Sequence, residues 1–196
     1  YTENLDSKAR KSAQTVMFDS LVALVKMVSP VLSFTAEEMW AAMPAIARDA
    51  DSVHLSSWYV ENPEFINAEL DSKWDKIIKL RKEVNKVLEK ARQGENRIIG
   101  NSLDAEVSLF IGNDEYKSLL ADKELLEMIF IISKLNIVET KDDSFTESEE
   151  LKDISIKVAH ATGEKCERCW KYSEELGTHE EHSTICPRCT GVLVNN

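Results

Sequence analysis

All four cysteines of this chain fall in two pairs, Cys166-Glu167-Arg168-Cys169 and Cys186-Pro187-Arg188-Cys189, with sixteen residues between them. Two thiols separated by two residues can turn inward on one tight loop and hold two corners of a tetrahedron. The second loop supplies the other two, so the C-terminal segment must close on itself. This C-x2-C…C-x2-C spacing reads as a zinc site, and four soft thiolates suit Zn2+ in a closed structural geometry. Two disulfides or a redox pair would use the same residues. A redox centre, however, needs a single Cys-x-x-Cys beside a βαβ pattern, and this Gly-, Pro- and Glu-containing tail has two. His179 and His182 lie between the pairs, but four cysteines already complete the shell, so a solvated loop is expected there. A closed shell has no place for a reactive water, so the metal should fold the tail and perform no chemistry.

The remaining chain is long enough for one large or two small domains. No stretch of eighteen apolar residues is present, so no membrane span is expected. The start, Tyr1-Thr2-Glu3-Asn4-Leu5-Asp6, is polar and acidic and lacks the basic and apolar regions of a signal peptide. Cysteines in metal spacing fit a reducing, cytoplasmic setting. The chain begins without methionine inside an apparent helix, which suggests a fragment of a longer protein. Its net charge of -11 argues against a general nucleic-acid surface, yet the charge is unevenly placed. Residues 73–97 carry nine Lys/Arg against four Asp/Glu, a balance of +5, and residues 139–153 carry seven acids against two lysines, a balance of -5. One basic segment permits a local nucleic-acid face.

Read in order, residues 5–28 form an amphipathic pattern with Ala9, Ala13, Val16, Met17, Leu21, Leu24 and Val28 on its apolar side. Ser29-Pro30 stops it, and Thr35 with Glu38 reads as a capping box opening the next helix. Ser52 to Leu55 reads as a short extended piece, and Asn62-Pro63-Glu64 starts a further helical stretch. The clearest helix runs from Ser72 to about Gln93, with Trp74, Ile77, Ile78, Arg81, Val84, Leu88 and Ala91 as its buried stripe. Lys79, Lys82, Lys86 and Lys90 make a second stripe, which on pattern alone is a solvated face. Leu103 to Phe110 alternates as a half-buried strand, residues 113–126 read as helix, 128–138 as a buried strand and 154–158 as another strand. The acidic stretch between the last two is a surface loop. The expected fold is mainly α, with a helical domain over 1–98, a small α/β unit over 99–160 and a four-cysteine zinc ribbon over 161–196. No Gly-rich phosphate loop, nucleophile elbow or Ser/His/Asp set is visible.

These motifs together resemble the C-terminal region of bacterial isoleucyl-tRNA synthetases. The ribbon, Lys165-Cys166-Glu167-Arg168-Cys169-Trp170 with Thr184-Ile185-Cys186-Pro187-Arg188-Cys189, is similar to that family's C-terminal zinc finger. Arg10 to Thr15 and Ser29 to Trp40 are similar to its anticodon-binding helices. Ser52 to Trp58, Leu80 to Asn85 and Gly100 to Val107 also match, in the family's order. The Phe34-to-Trp40 piece alone is shared with valyl and leucyl relatives, and the cysteine ribbon alone with some DNA glycosylases. The chain departs from the family pattern at Lys11, where arginine is usual, and at Tyr59, where proline is common, and neither change removes a ligand or alters a charge. The resemblance implies an enzyme that joins isoleucine to its tRNA using ATP. Here the catalytic domain, which would use the ATP, and the editing domain lie outside the sequence. This part would hold the anticodon arm of isoleucine tRNA and bind one structural Zn2+ through Cys166, Cys169, Cys186 and Cys189. Arg168 and Trp170 would present a donor fork and a stacking plate, and Lys79, Lys82, Lys86 and Lys90 would position phosphates. A purely structural ribbon packed on the remaining domains of the same parent is the rival reading.

Overall fold

The computed structural model describes residues 2–94 and 97–194. The chain divides into two compact units.

The first, Glu3–Ile66, is helical. Helix α1 (Lys8–Val28) is capped by Ser7, whose side chain accepts from the Arg10 N–H at 3.2 Å, and a turn at 29–31 reverses the chain into α2 (Ser33–Ala42). Val25, Ala36, Trp40, Met43 and Val53 are buried together, flanked by Phe18, Leu21, Val22 and Val28. The Trp40 indole donates to the Ala50 carbonyl at 2.9 Å, and the Lys26 ammonium stands 5.4 Å from its ring centroid. Three sequence expectations are corrected here. The α1 interface is centred on Phe18, Val22 and Val25, while Ala9, Ala13, Val16, Met17 and Leu24 are exposed, because α1 is apolar on more than one side and α2 packs against only one of them. The capping box at Thr35 and Glu38 does not form, because the turn delivers the chain into helix at Ser33 and leaves Thr35 inside the first turn. Glu37 has a structural role instead, accepting from the Ser52 hydroxyl at 2.9 Å and the Val53 N–H at 3.0 Å. Those bonds wind Val53–Leu55 into a 3-10 turn, where an extended piece was expected.

The second unit begins at Asn67. Its spine is α3 (Ala68–Arg92), started by the Asn67 side chain accepting from the Leu70 N–H at 3.0 Å. Strands β1 (Ala105–Ile111), β2 (Lys134–Val138), β3 (Thr146–Glu147) and β4 (Ile154–His160) form a sheet in the order β2-β1-β4-β3. The β1 to β2 pair is parallel, bridged by α4 (Asp114–Lys117), a 3-10 turn and α5 (Lys123–Phe130). Both β1/β4 and β3/β4 are antiparallel. In β1, Ala105, Val107, Leu109 and Ile111 are buried and the residues between them half-buried, as period two demands. Ile77, Leu80, Val84, Leu88 and Ala91 of α3 share one core with these strands and with Leu126 and Phe130 of α5.

That shared core places α3 in the same compact unit as the sheet, so the 98/99 boundary drawn from sequence falls inside the second unit. Within α3, Ile77, Val84, Leu88 and Ala91 are buried as expected, while Leu80 takes the place of Arg81 on the buried line and Trp74 and Ile78 are exposed. Residues 128–138 are not one strand. Helix α5 continues to Phe130, Ile131 turns left-handed (φ 57°), and the strand starts only at Lys134. The Gly100-to-Val107 motif gains a structural meaning. Asn101 accepts from the Leu103 N–H at 2.7 Å and Asp104 from the Asn101 N–H at 2.9 Å, a reciprocal cap that fixes the entry to β1.

Candidate metal centre and the surface around it

The ribbon opens from β4 through a two-stranded hairpin, β5 (Glu164–Lys165) and β6 (Tyr172–Ser173), and closes with α6 (Pro187–Val194). The first cysteine pair lies in the hairpin loop. The Trp170 N–H donates to the Cys166 carbonyl at 2.8 Å, and Trp170 takes a left-handed φ of 65°, which tightens the knuckle. The second pair sits at a helix start: Cys186 precedes Pro187, the first residue of α6, and the Thr190 N–H donates back to the Cys186 carbonyl at 3.0 Å.

The four Sγ atoms all lie within 4.8 Å of one another, and no histidine belongs to the group. The Cys169 and Cys186 sulfurs are 3.7 Å apart. Tetrahedral Zn–S bonds of about 2.3 Å put sulfurs ~3.8 Å apart, whereas a disulfide requires ~2.05 Å. Cys166, Cys186 and Cys189 are buried, with Ile185 and Leu176 filling the small core around them. The protonation chemistry agrees. Burial pushes the Cys169 thiol up to about 12, aided by the neighbouring Cys166, Cys186 and Cys189 sulfurs, and burial raises Cys186 as well. At Cys166 burial also raises the thiol, but the backbone N–H groups of Cys169, Cys186 and Arg168 outweigh it and bring the group down to about 6. Clustered thiols of this kind ionise together only when a cation sits among them. The donor set therefore fits one structural Zn2+.

His179 and His182 stack on each other, with ring centroids 5.5 Å apart, outside the thiol cluster. Gly163 holds φ at 88° under the hairpin, where an added Cβ would lie 2.3 Å from the Ser173 carbonyl carbon and oxygen. Gly163→Ala is thus expected to spread the hairpin and cost about 2–4 kcal/mol, read as a lower midpoint of ribbon unfolding. An unchanged midpoint would contradict this geometry.

Trp170 is 59% exposed, with the Lys165 ammonium 6.0 Å from its ring centroid. Arg168 is half-buried, and its guanidinium donates to the Thr2 carbonyl at 2.8 Å and lies 3.6 Å from the Cys189 sulfur. Arg188 donates to the Thr2 hydroxyl at 2.5 Å. Ser133, which sequence reasoning did not single out, joins the ribbon to the sheet: it donates to the Leu103 carbonyl at 2.5 Å and accepts from the Tyr172 N–H at 2.7 Å.

The lysine stripe is not brought to the ribbon. Lys82, Lys86 and Lys90 instead pair with Glu149 and Glu150 of the acidic segment, while Lys79 is exposed outside that network. Beneath them Glu83 is only 2% exposed. It accepts from the Ser148 hydroxyl at 2.6 Å and from the Glu149 and Glu150 N–H groups at 2.8 and 3.2 Å, and pairs with the Lys86 ammonium at 2.6 Å. The signal for this was in the sequence, where segments of +5 and -5 balance each other.

Residues 1–109 match the model of the anticodon-binding domain of tRNA ligases, and 163–190 match the zinc finger found in FPG and IleRS. Among curated relatives, an isoleucine–tRNA ligase of Desulforamulus reducens is 42% identical over 195 residues, 98% of this chain and 21% of the relative. Those of Thermotoga petrophila and Geobacter sulfurreducens are 42% and 40% identical, each over 98% of this chain and 20% of the relative. The chain spans about a fifth of the length of these relatives.

Proposed function

Because the chain belongs to the family of anticodon-binding domains of tRNA ligases, we propose that it is the tRNA-holding part of an isoleucine–tRNA ligase. In this reading it fixes the anticodon arm of isoleucine tRNA so that the distant acceptor end reaches a catalytic domain elsewhere in the enzyme. That domain would join isoleucine to the tRNA with ATP. In this reading the labour divides among the helices up to residue 98, the last of which, α3, packs on the sheet, a junction unit (99–160) and the ribbon (161–196), working with the other domains of the ligase in the cytoplasm. No helix among the described residues is long and apolar enough to cross a membrane.

The observation that carries the reading is the first cysteine knuckle. A metal held by Cys166, Cys169, Cys186 and Cys189 would fix the backbone on both sides of Arg168 and Trp170. Single-stranded loops are read by splaying bases onto aromatic or guanidinium planes, and Trp170 offers such a plane at the ribbon surface. Lys79, Lys82, Lys86 and Lys90 supply phosphate positioning, which adds affinity without sequence information. Trp170→Ala is expected to weaken tRNA binding about tenfold, within the ~1–3 kcal/mol of one stacked base, and Arg168→Ala to weaken it too. Zinc content should stay at one per chain in both. Wild-type affinity in both variants would remove the contact model.

A structural ribbon is the second reading, favoured by the engagement of both knuckle arginines with Thr2. It predicts lost stability in Arg168→Ala with no change in tRNA affinity. A DNA-glycosylase type of ribbon shares the zinc finger but leaves the match over 1–109 without a purpose.

A further inference from the structure

The acidic segment lies on the lysine stripe in a particular way. Lys82, Lys86 and Lys90 follow one another at four-residue steps along α3, a rise of ~6 Å each. Glu150 bridges the first two, at 2.8 Å from Lys82 and 3.0 Å from Lys86. Glu149 bridges the last two, at 3.4 Å from each. Two anions thus sit in the two gaps of a row of three cations, the arrangement that consecutive phosphates of a nucleic-acid strand would take. These carboxylates are 63% and 51% exposed, and exposed pairs of this kind hold weakly and are screened by salt. The backbone of residues 148–150, a strap across α3, is by contrast held from beneath by buried Glu83 through Ser148, Glu149 and Glu150. The strap's position and its charge therefore depend on different residues.

We propose that residues 148–150 are a built-in phosphate mimic that masks an RNA-backbone surface on α3. An RNA strand reaches Lys82, Lys86 and Lys90 by exchanging its phosphates for the Glu149 and Glu150 carboxylates, so the strap sets a threshold against non-cognate RNA. The proposal deepens the tRNA-binding reading and rests on it for the choice of RNA as the polyanion.

The test uses the zinc-loaded chain and a single-stranded poly(U) oligonucleotide, which carries no isoleucine anticodon, with fluorescence anisotropy read across a salt series. In E149Q/E150Q the strap stays anchored by Glu83, Lys82 and Lys90 lose their carboxylate partners, and Lys86 keeps Glu83 alone. Binding to poly(U) is expected to tighten at least fivefold near 0.15 M salt. The slope of log affinity against log salt should steepen by about two, since three phosphate contacts on a single strand contribute ~0.7 each. Adding K82Q/K90Q, which leaves the Lys86–Glu83 pair intact, should remove most of the gain. Unchanged affinity and slope in the double variant, or a gain that survives loss of the lysines, would overturn the proposal. Should the double variant melt below the wild type, E150Q alone, which releases Lys82, carries the same test with a smaller gain. A poly(U) gain without any preference for isoleucine tRNA would sink the anticodon reading and leave the mask standing.

Discussion

Replacing Cys189 with serine is expected to abolish stoichiometric zinc binding and unfold residues 163–190, while the helices of the first unit stay folded. Cys189 is wholly buried, and its sulfur belongs to a group whose members are within 4.8 Å of each other. A ribbon this short has a core of Ile185 and Leu176 besides the cysteines. Apolar burial on that scale cannot offset the conformational entropy of ordering the loop. The metal must supply the difference, and structural zinc binding of about 10–16 kcal/mol in small domains is ample. Chelation of the wild-type protein should reproduce the effect, with amide signals of 163–190 collapsing and those of Glu3–Ile66 retained. A serine variant with full zinc content and a dispersed ribbon spectrum would refute the four-cysteine assignment.

The second large effect belongs to a residue with no part in the metal site. Glu83→Ala is expected to cost about 3–5 kcal/mol of stability in the second unit, because it leaves the Lys86 ammonium and two strap N–H groups without their buried partner. The pH dependence has a definite direction. Burial raises the Glu83 carboxyl, but Lys86, Ser148 and the Glu150 and Glu149 N–H groups together lower it from 4.5 to about 2. A carboxylate depressed by folding contributes stability that is fully present above its unfolded value and disappears as pH falls through its folded value. The wild type should therefore lose stability between about pH 4.5 and pH 2, and Glu83→Ala should show a flatter profile there. Equal slopes in urea unfolding across that window would contradict the assignment.

What could be read from sequence was local. The cysteine spacing fixes a knuckle within four residues, and the alternation of Leu103 to Phe110 points to a strand that the fold runs from Ala105 to Ile111, so neither needs a partner to be recognised. The failures came where a distant contact decides. Thr35 and Glu38 have the right letters for a cap, but the turn after α1 sets the helix start three residues earlier, with Leu32 in the cap position. Glu83 looked like one more charge on a solvated helix, and only residues 65–67 positions later make it buried and anionic. The lysine stripe was visible, whereas its neutralisation depends on a segment 59–68 residues away. The place of Arg168 and Trp170 on the first knuckle was legible, but not the hold of Thr2 on Arg168.

In the proposed function the zinc-held knuckle reads an anticodon. The most direct measurement compares the affinity of the zinc-loaded chain for isoleucine tRNA with that for the same tRNA carrying a replaced anticodon, at one physiological salt concentration. Binding to the native anticodon is expected to be clearly tighter, by a factor that shrinks in Trp170→Ala. Equal affinity for the two tRNAs would contradict it and leave only a backbone clamp.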